Sequence, residues 1–137
     1  MPKLNLKLIT PARTLLEQPV DQVTMDTAEG QITVLANHEP LVSILRPGEF
    51  VVRNENKETP ITCSGGIIEI FANNLVVLAD SAEHIDEIEL EQAEKEAAKL
   101  IARLDSEEKL DITTYKTLQR QLERENARIN LVKKWRK

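Results

Sequence analysis

Polar and apolar residues alternate along the first half of the chain. Leu4, Leu6 and Leu8 are separated by Asn5 and Lys7, and Val23 with Met25, Ile32 with Val34, Phe50 with Val52 and Ile61 with Cys63 keep the same period. A period of two turns one face of a strand to a core and the other to water. Residues 66–80 read as a hairpin: Ile67-Ile68-Glu69-Ile70-Phe71, a turn at Ala72-Asn73-Asn74, then Leu75-Val76-Val77-Leu78. Glu29-Gly30 and Pro47-Gly48 read as tight turns, where glycine accepts a positive φ without a Cβ clash. Short strands divided by Gly, Pro or Asn predict a sandwich or barrel of antiparallel strands.

From Asp86 the period lengthens. Leu90, Ala93, Ala97, Leu100 and Leu104 are three and four apart, one face of a helix. Asp86 with Glu89 three residues later predicts a capping-box start. Asp105 through Glu108 is polar and turns the chain, and Asp111 is the N-cap of a second helix. That helix carries a seam of Ile112, Tyr115, Leu118, Leu122, Ile129 and Val132, with Glu125 where an apolar residue belongs. Two helices of about 20 and about 25 residues joined by a short turn predict an antiparallel hairpin. Its seam is thin and alanine-rich, so the hairpin is expected to be marginal. All six prolines and all four glycines lie in the first 66 residues. The organisation predicted is therefore an all-β sandwich domain over residues 1–84, followed by a two-helix C-terminal hairpin over residues 85–137.

Composition narrows the class. A chain of 137 residues with 41% hydrophobic and 30% charged residues is not wholly disordered. No apolar run approaches the ~18 residues of a membrane-spanning helix. The opening Met1-Pro2-Lys3-Leu4 leads directly into the alternating pattern, so no signal or transit segment is expected. The lone Cys63 cannot form an internal disulfide, which points to a reducing compartment.

Charge is unevenly placed. The net charge of −5 weighs against nucleic acid, but residues 86–104 hold six acids and three bases, whereas residues 112–137 hold two acids and eight bases. Folded together the helices attract; opened, the second is a basic rod suited to an acidic surface. Exposed ion pairs contribute only ~0–1 kcal/mol each, so charge alone does not lock the pair. A segment with two packings of similar free energy is a candidate switch, and a static solvated hairpin is the alternative.

Reactive chemistry is sparse. Two histidines and one cysteine are too few for a recognisable zinc site. Cys63 sits in the alternating run of a strand, where a buried thiol is expected rather than a nucleophile. Gly65-Gly66 lacks the spacing of a phosphate loop and fits a strand entry or bulge. No catalytic constellation emerges, so no enzyme and no metal site are predicted.

Specific motifs resemble a known family. Residues 30–41, Gly-Gln-Ile-Thr-Val-Leu-Ala-Asn-His-Glu-Pro-Leu, are similar to the glycine–hydrophobic–His-x-Pro-Leu segment of the ε subunit of F-type ATP synthases. Ser64-Gly65-Gly66-Ile67-Ile68-Glu69-Ile70, followed by Asn74 and Ala79-Asp80-Ser81-Ala82-Glu83, resembles that family's second signature, and Leu8-Ile9-Thr10-Pro11 fits its opening. Thr33 stands where family members usually carry glycine, and Ala36-Asn37 where Pro-Gly or Pro-Asn is common.

The resemblance implies a rotor component without an active site, built on a sandwich of about ten strands. Its partners would be the γ subunit, the ring of c subunits and the catalytic α/β head, with no nucleic acid and with membrane contact only through the complex. Its place would be the cytoplasmic face of the bacterial plasma membrane. By carry-over, the loop with Glu29, Gln31 and His38 faces the ring; a turn-stabilising hydrogen bond is the alternative for His38. Lys116, Arg120, Arg124, Arg128, Lys133, Lys134, Arg136 and Lys137 would meet acidic segments of the head when the helices extend and block ATP hydrolysis. Some members bind ATP on the folded hairpin through Ile/Leu-Asp-x-x-Arg-Ala. Here Ile88-Glu89-Leu90-Glu91-Gln92-Ala93 stands at that place, so the arginine is lost. Glu83, Glu89, Arg124 and Arg128 are then a vestigial site; no cofactor is required, and ATP binding is expected to be weak or absent. Outside the family, the alternatives are a free adaptor using the basic second helix or a small enzyme using Cys63 or His38.

Overall fold

Alternation becomes strand at Leu4–Ile9 (β1), Gln22–Thr27 (β3) and Gly30–Leu35 (β4), and the bent Leu41–Asn54 (β5) is the longest strand. Thr14–Val20 (β2), Lys57–Cys63 (β6), Gly66–Phe71 (β7), Asn74–Ala79 (β8) and Ala82–His84 (β9) complete nine strands among the described residues, against the ten or so implied by the resemblance. This computed structural model describes residues 2–106 and 110–136. It separates into two compact units, Met1–His84 and Ile85–Lys137.

The strands form one sheet folded on itself. Its neighbours run β2-β1-β8-β7-β5-β3-β4, with β6 on β5 and β9 on β6. Only the β1–β8 pairing among these is parallel. Strand β5 serves both layers: Leu41–Leu45 pair with β7, and Gly48–Asn54 pair with β6. The expected tight turn at Pro47-Gly48 is therefore a corner inside a strand. Gly48 has φ +150°, and a Cβ there would lie 2.9 Å from Asp26 Oδ2, beside the register shift in β3. Ala28-Glu29 closes the β3–β4 turn, and Gly30, at φ +109°, already opens β4 opposite Thr27.

Between the layers, Leu4, Leu6, Leu8, Ile68, Ile70, Leu75 and Val77 meet Val23, Met25, Val34, Phe50, Val52 and Ile61. Phe50 is the one aromatic side chain of that cluster, so the core is aliphatic. Two hairpins turn on non-glycine pairs with positive φ: Glu55-Asn56 (52° and 66°) and Ala72-Asn73 (49° and 63°). Such turns match the twist of the flanking strands. Asn74, expected in the second turn, already begins β8. Strand β2 escapes the alternation test because it lies at the sheet edge, which also lets it carry Pro19.

The second unit holds α1 (Leu90–Leu104, 15 residues) and α2 (Ile112–Trp135, 24 residues). The Asp86–Glu89 capping box does not form. Residues Ile85–Glu87 make a 3₁₀ turn, and the N-cap Glu89 makes no side-chain cap bond. Burial of Ile85 and Ile88 with Leu131 and Val132 takes precedence over that cap. Asp111 does cap α2, accepting the Thr114 N–H at 2.7 Å, and this bond holds its carboxyl below the usual range.

The helical seam is thinner still than the spacing predicted. Ala93, Ala97 and Leu100 are buried on α1, and Leu118, Leu131 and Val132 on α2. Ile112 and Tyr115 are exposed, so the first turn of α2 lies outside the seam. Asp105 and Ser106 leave α1, while Glu107 and Glu108 of the expected polar turn lie outside the described residues.

Candidate functional site

The pleat that builds the core also exposes an apolar row on the opposite face of one layer. Ile44 pairs with Ile67, Ile67 with Leu78, and Leu78 with Ile9 across four adjacent strands. Ile44, Ile67 and Leu78 are 61%, 52% and 51% exposed. The next row is mixed: Val42, Glu69, Val76 and Lys7, the last 3.9 Å from Glu17. A contiguous apolar row bordered by charge is a candidate docking face. Charge patterning, which points to Glu29, Gln31, His38 and the basic residues of α2, does not reveal this row. Its signal was the unbroken runs Ile67-Ile68 and Leu75-Val76-Val77-Leu78, since a strand apolar on both faces has something to cover on each.

Glu29, Gln31 and His38 do not share one loop. Glu29 is in the β3–β4 turn, Gln31 opens β4, and His38 follows the far end of β4. Glu29 is exposed yet turned onto its own domain: its Oε2 accepts from Ser43 Oγ and, at 3.3 Å, from Thr27 Oγ1. The Ser43 bond holds its carboxyl below the usual range. Gln31 faces outward. His38 is half-buried, with Nδ1 donating to Glu39 O at 2.7 Å, and the Asn37 N–H is fixed by Asn73 Oδ1 at 2.8 Å. The local hydrogen bond considered for His38 is thus present.

On α2, Lys116, Arg120 and Arg124 are exposed and four residues apart, forming one stripe; Lys133 and Lys134 are exposed near its end. Arg128 and Arg136 do not join them. Arg128 Nη1 lies 2.9 Å from Glu125 Oε2, with the two side chains 17% and 13% exposed. This pairing explains the charge in the apolar seam. Arg136 donates to backbone carbonyls within its unit, and Lys137 lies outside the described residues.

The nucleotide positions are scattered in kind. Glu83 is half-buried on β9, Glu89 is exposed at the start of α1, and Gln92 donates to Glu96 at 3.2 Å. Of the two arginines, Arg124 is exposed, while the Arg128 charge is engaged by Glu125. Burial pushes the Cys63 thiol up to about 12, so its thiolate is negligible near neutral pH. Among the described residues no helix is long and apolar enough to cross a membrane.

The chain thus pairs a pleated block that exposes an apolar row with a helical pair that carries a basic stripe. Residues 3–85 match the family model of the ATP synthase delta/epsilon chain β-sandwich domain. The chain is 36% identical over 105 residues to the ATP synthase epsilon chain of Herpetosiphon aurantiacus, covering 77% of this chain and 73% of that one. It is also 36% identical over 97 residues to the sodium ion specific epsilon chain of Propionigenium modestum, covering 71% of each. Among solved structures, a chain of the Euglena gracilis mitochondrial ATP synthase, determined with OSCP, F1 and c-ring, superposes with a TM-score of 0.80 at 26% identity over 93% of this chain and 79% of that one. The chain belongs to the ε-subunit family of F-type ATP synthases. It is a non-catalytic member of that rotary assembly.

Proposed function

We propose that this chain couples the γ shaft to the c-ring in the central stalk during proton-driven ATP synthesis, at the cytoplasmic face of a bacterial plasma membrane. The observation that carries the reading is the row Ile44–Ile67–Leu78–Ile9. Partners that turn together for the life of a complex bury apolar surface, and γ is such a partner. The polar loops of the ring suit the outward Gln31 end of β4 instead. Membrane contact is then made only through the complex, and the basic stripe meets protein rather than nucleic acid.

The second part of the proposal concerns the helices. Extended toward the head, α2 would present Lys116, Arg120 and Arg124 to acidic segments and inhibit ATP hydrolysis. Removing residues 86–137 from the assembled enzyme is expected to raise ATP hydrolysis severalfold at low salt, with a smaller difference at high salt as screening weakens the contact. Unchanged hydrolysis at low salt would overturn the inhibitory role.

ATP itself is expected to bind weakly or not at all. Neutral Gln92 supplies no cation at the place of the family's arginine, and Glu125 already competes for Arg128. Calorimetric titration of the isolated chain is expected to show no saturable heat below millimolar ATP. Micromolar affinity would refute this.

A further inference from the structure

We propose that Arg136 is a latch, holding the segment that leads into α1 closed against the end of α2. Arg136 follows the last turn of α2, and its backbone N–H still donates to Val132 O at 2.8 Å. Its guanidinium turns back to a segment about 50 residues earlier in sequence, where Nη2 donates to Ile85 O and, at 3.0 Å, to Ile88 O. Those two carbonyls bracket the 3₁₀ turn, which the Ile88 N–H closes on Ile85 O at 3.2 Å. One charged side chain therefore ties both ends of the turn to the helix.

The packing beneath the latch is stronger than the seam beyond it. Ile85, Ile88, Leu131 and Val132 form a buried cluster, with Leu90 and Trp135 packed against it. Farther along α1 the buried positions begin with Ala93 and Ala97, whose methyl groups remove little area from water. Closure of the hairpin is thus concentrated where α2 ends and α1 begins. Opening the pair must break both carbonyl bonds and uncover the cluster together. The regulatory use of this device rests on the proposed extension of the helices; the latch itself does not, and it is tested in the isolated full-length chain.

Hydrogen exchange at the Ile88 and Ala93 amides is the primary readout, with the amides of β1, β7 and β8 as an internal reference. Arg136→Ala is expected to speed exchange at Ile88 and Ala93 by about tenfold or more, because hydrogen bonds from a charged donor are among the stronger ones, while the sandwich amides stay unchanged. Arg136→Lys, which keeps the cation but loses the planar fork, should fall between the two. Lys133→Ala removes a cation from the same turn and separates the latch from a general helix-end charge effect. Trp135, the single tryptophan, gives a second reading: its emission should move to the red in Arg136→Ala as the cluster opens. Native exchange rates in Arg136→Ala, or equal acceleration in Lys133→Ala, would overturn the proposal.

Discussion

Gly66→Ala is expected to unfold the sandwich domain, or to lower its melting temperature by roughly 15 °C or more, as read by circular dichroism of the full chain. Gly66 has φ +151°, and a Cβ there would lie 2.1 Å from Leu78 O and 2.8 Å from Ala79 Cα. Both neighbours are backbone, so no side chain can swing away. The glycine is also paired on two sides, with Ala79 on β8 and Leu45 on β5. A shift that relieved one contact would break the other ladder. Overpacking against fixed backbone belongs with the largest single-residue effects, above about 4 kcal/mol, within a total stability of about 5–15 kcal/mol. Gly30→Ala is the informative contrast. Its φ of +109° is also unfavourable for alanine, but a Cβ there meets nothing within 4 Å. It should lose only the about 1–3 kcal/mol of backbone strain. A native melting temperature in Gly66→Ala would show that the β7–β8 register is wrong.

Gly66 also shows how far local pattern can carry an account of this fold. Its doublet with Gly65 was readable as a strand entry or bulge, but the carbonyl of Leu78 that forbids a side chain comes from another strand. Where one face of a strand is buried and the other wet, as in Leu4-Asn5-Leu6-Lys7-Leu8, the alternation revealed both strand and core residues. It failed for β5 because Pro47-Gly48 looks like a terminator, whereas the folded chain uses it as a corner joining two layers. The helical period located both helices and Asp111 marked the start of α2, but the start of α1 was missed. Ile85 and Ile88 are buried through Leu131 and Val132, more than forty residues away, and that contact decides where α1 begins. The candidate surfaces were legible in proportion to how locally they are determined. The stripe Lys116, Arg120, Arg124 follows from spacing alone. Arg128 shares that spacing, yet Glu125 lies beside it on the buried side, so charge in the sequence does not become charge on the surface. The apolar row requires the register of four strands, which no single segment contains.

Ile67→Glu is expected to weaken association with γ by about a hundredfold or more, about 2.7 kcal/mol, while leaving the isolated chain folded. Ile67 occupies the middle of the apolar row, with Ile44 opposite on one side and Leu78 on the other. In the free chain its side chain is 52% exposed, so a carboxylate there remains hydrated and destabilises little. Beneath a partner it loses that hydration without a designed counter-charge, and an unpaired buried charge costs several kcal/mol. Ile67→Val keeps the row apolar and should bind within a few-fold of the native chain. Titration of γ with the three chains, alongside their melting temperatures, separates lost docking from lost folding. Should Ile67→Glu bind γ as tightly as the native chain while melting at the same temperature, the row is not the shaft contact, and the coupling surface must be sought on another face of the sandwich.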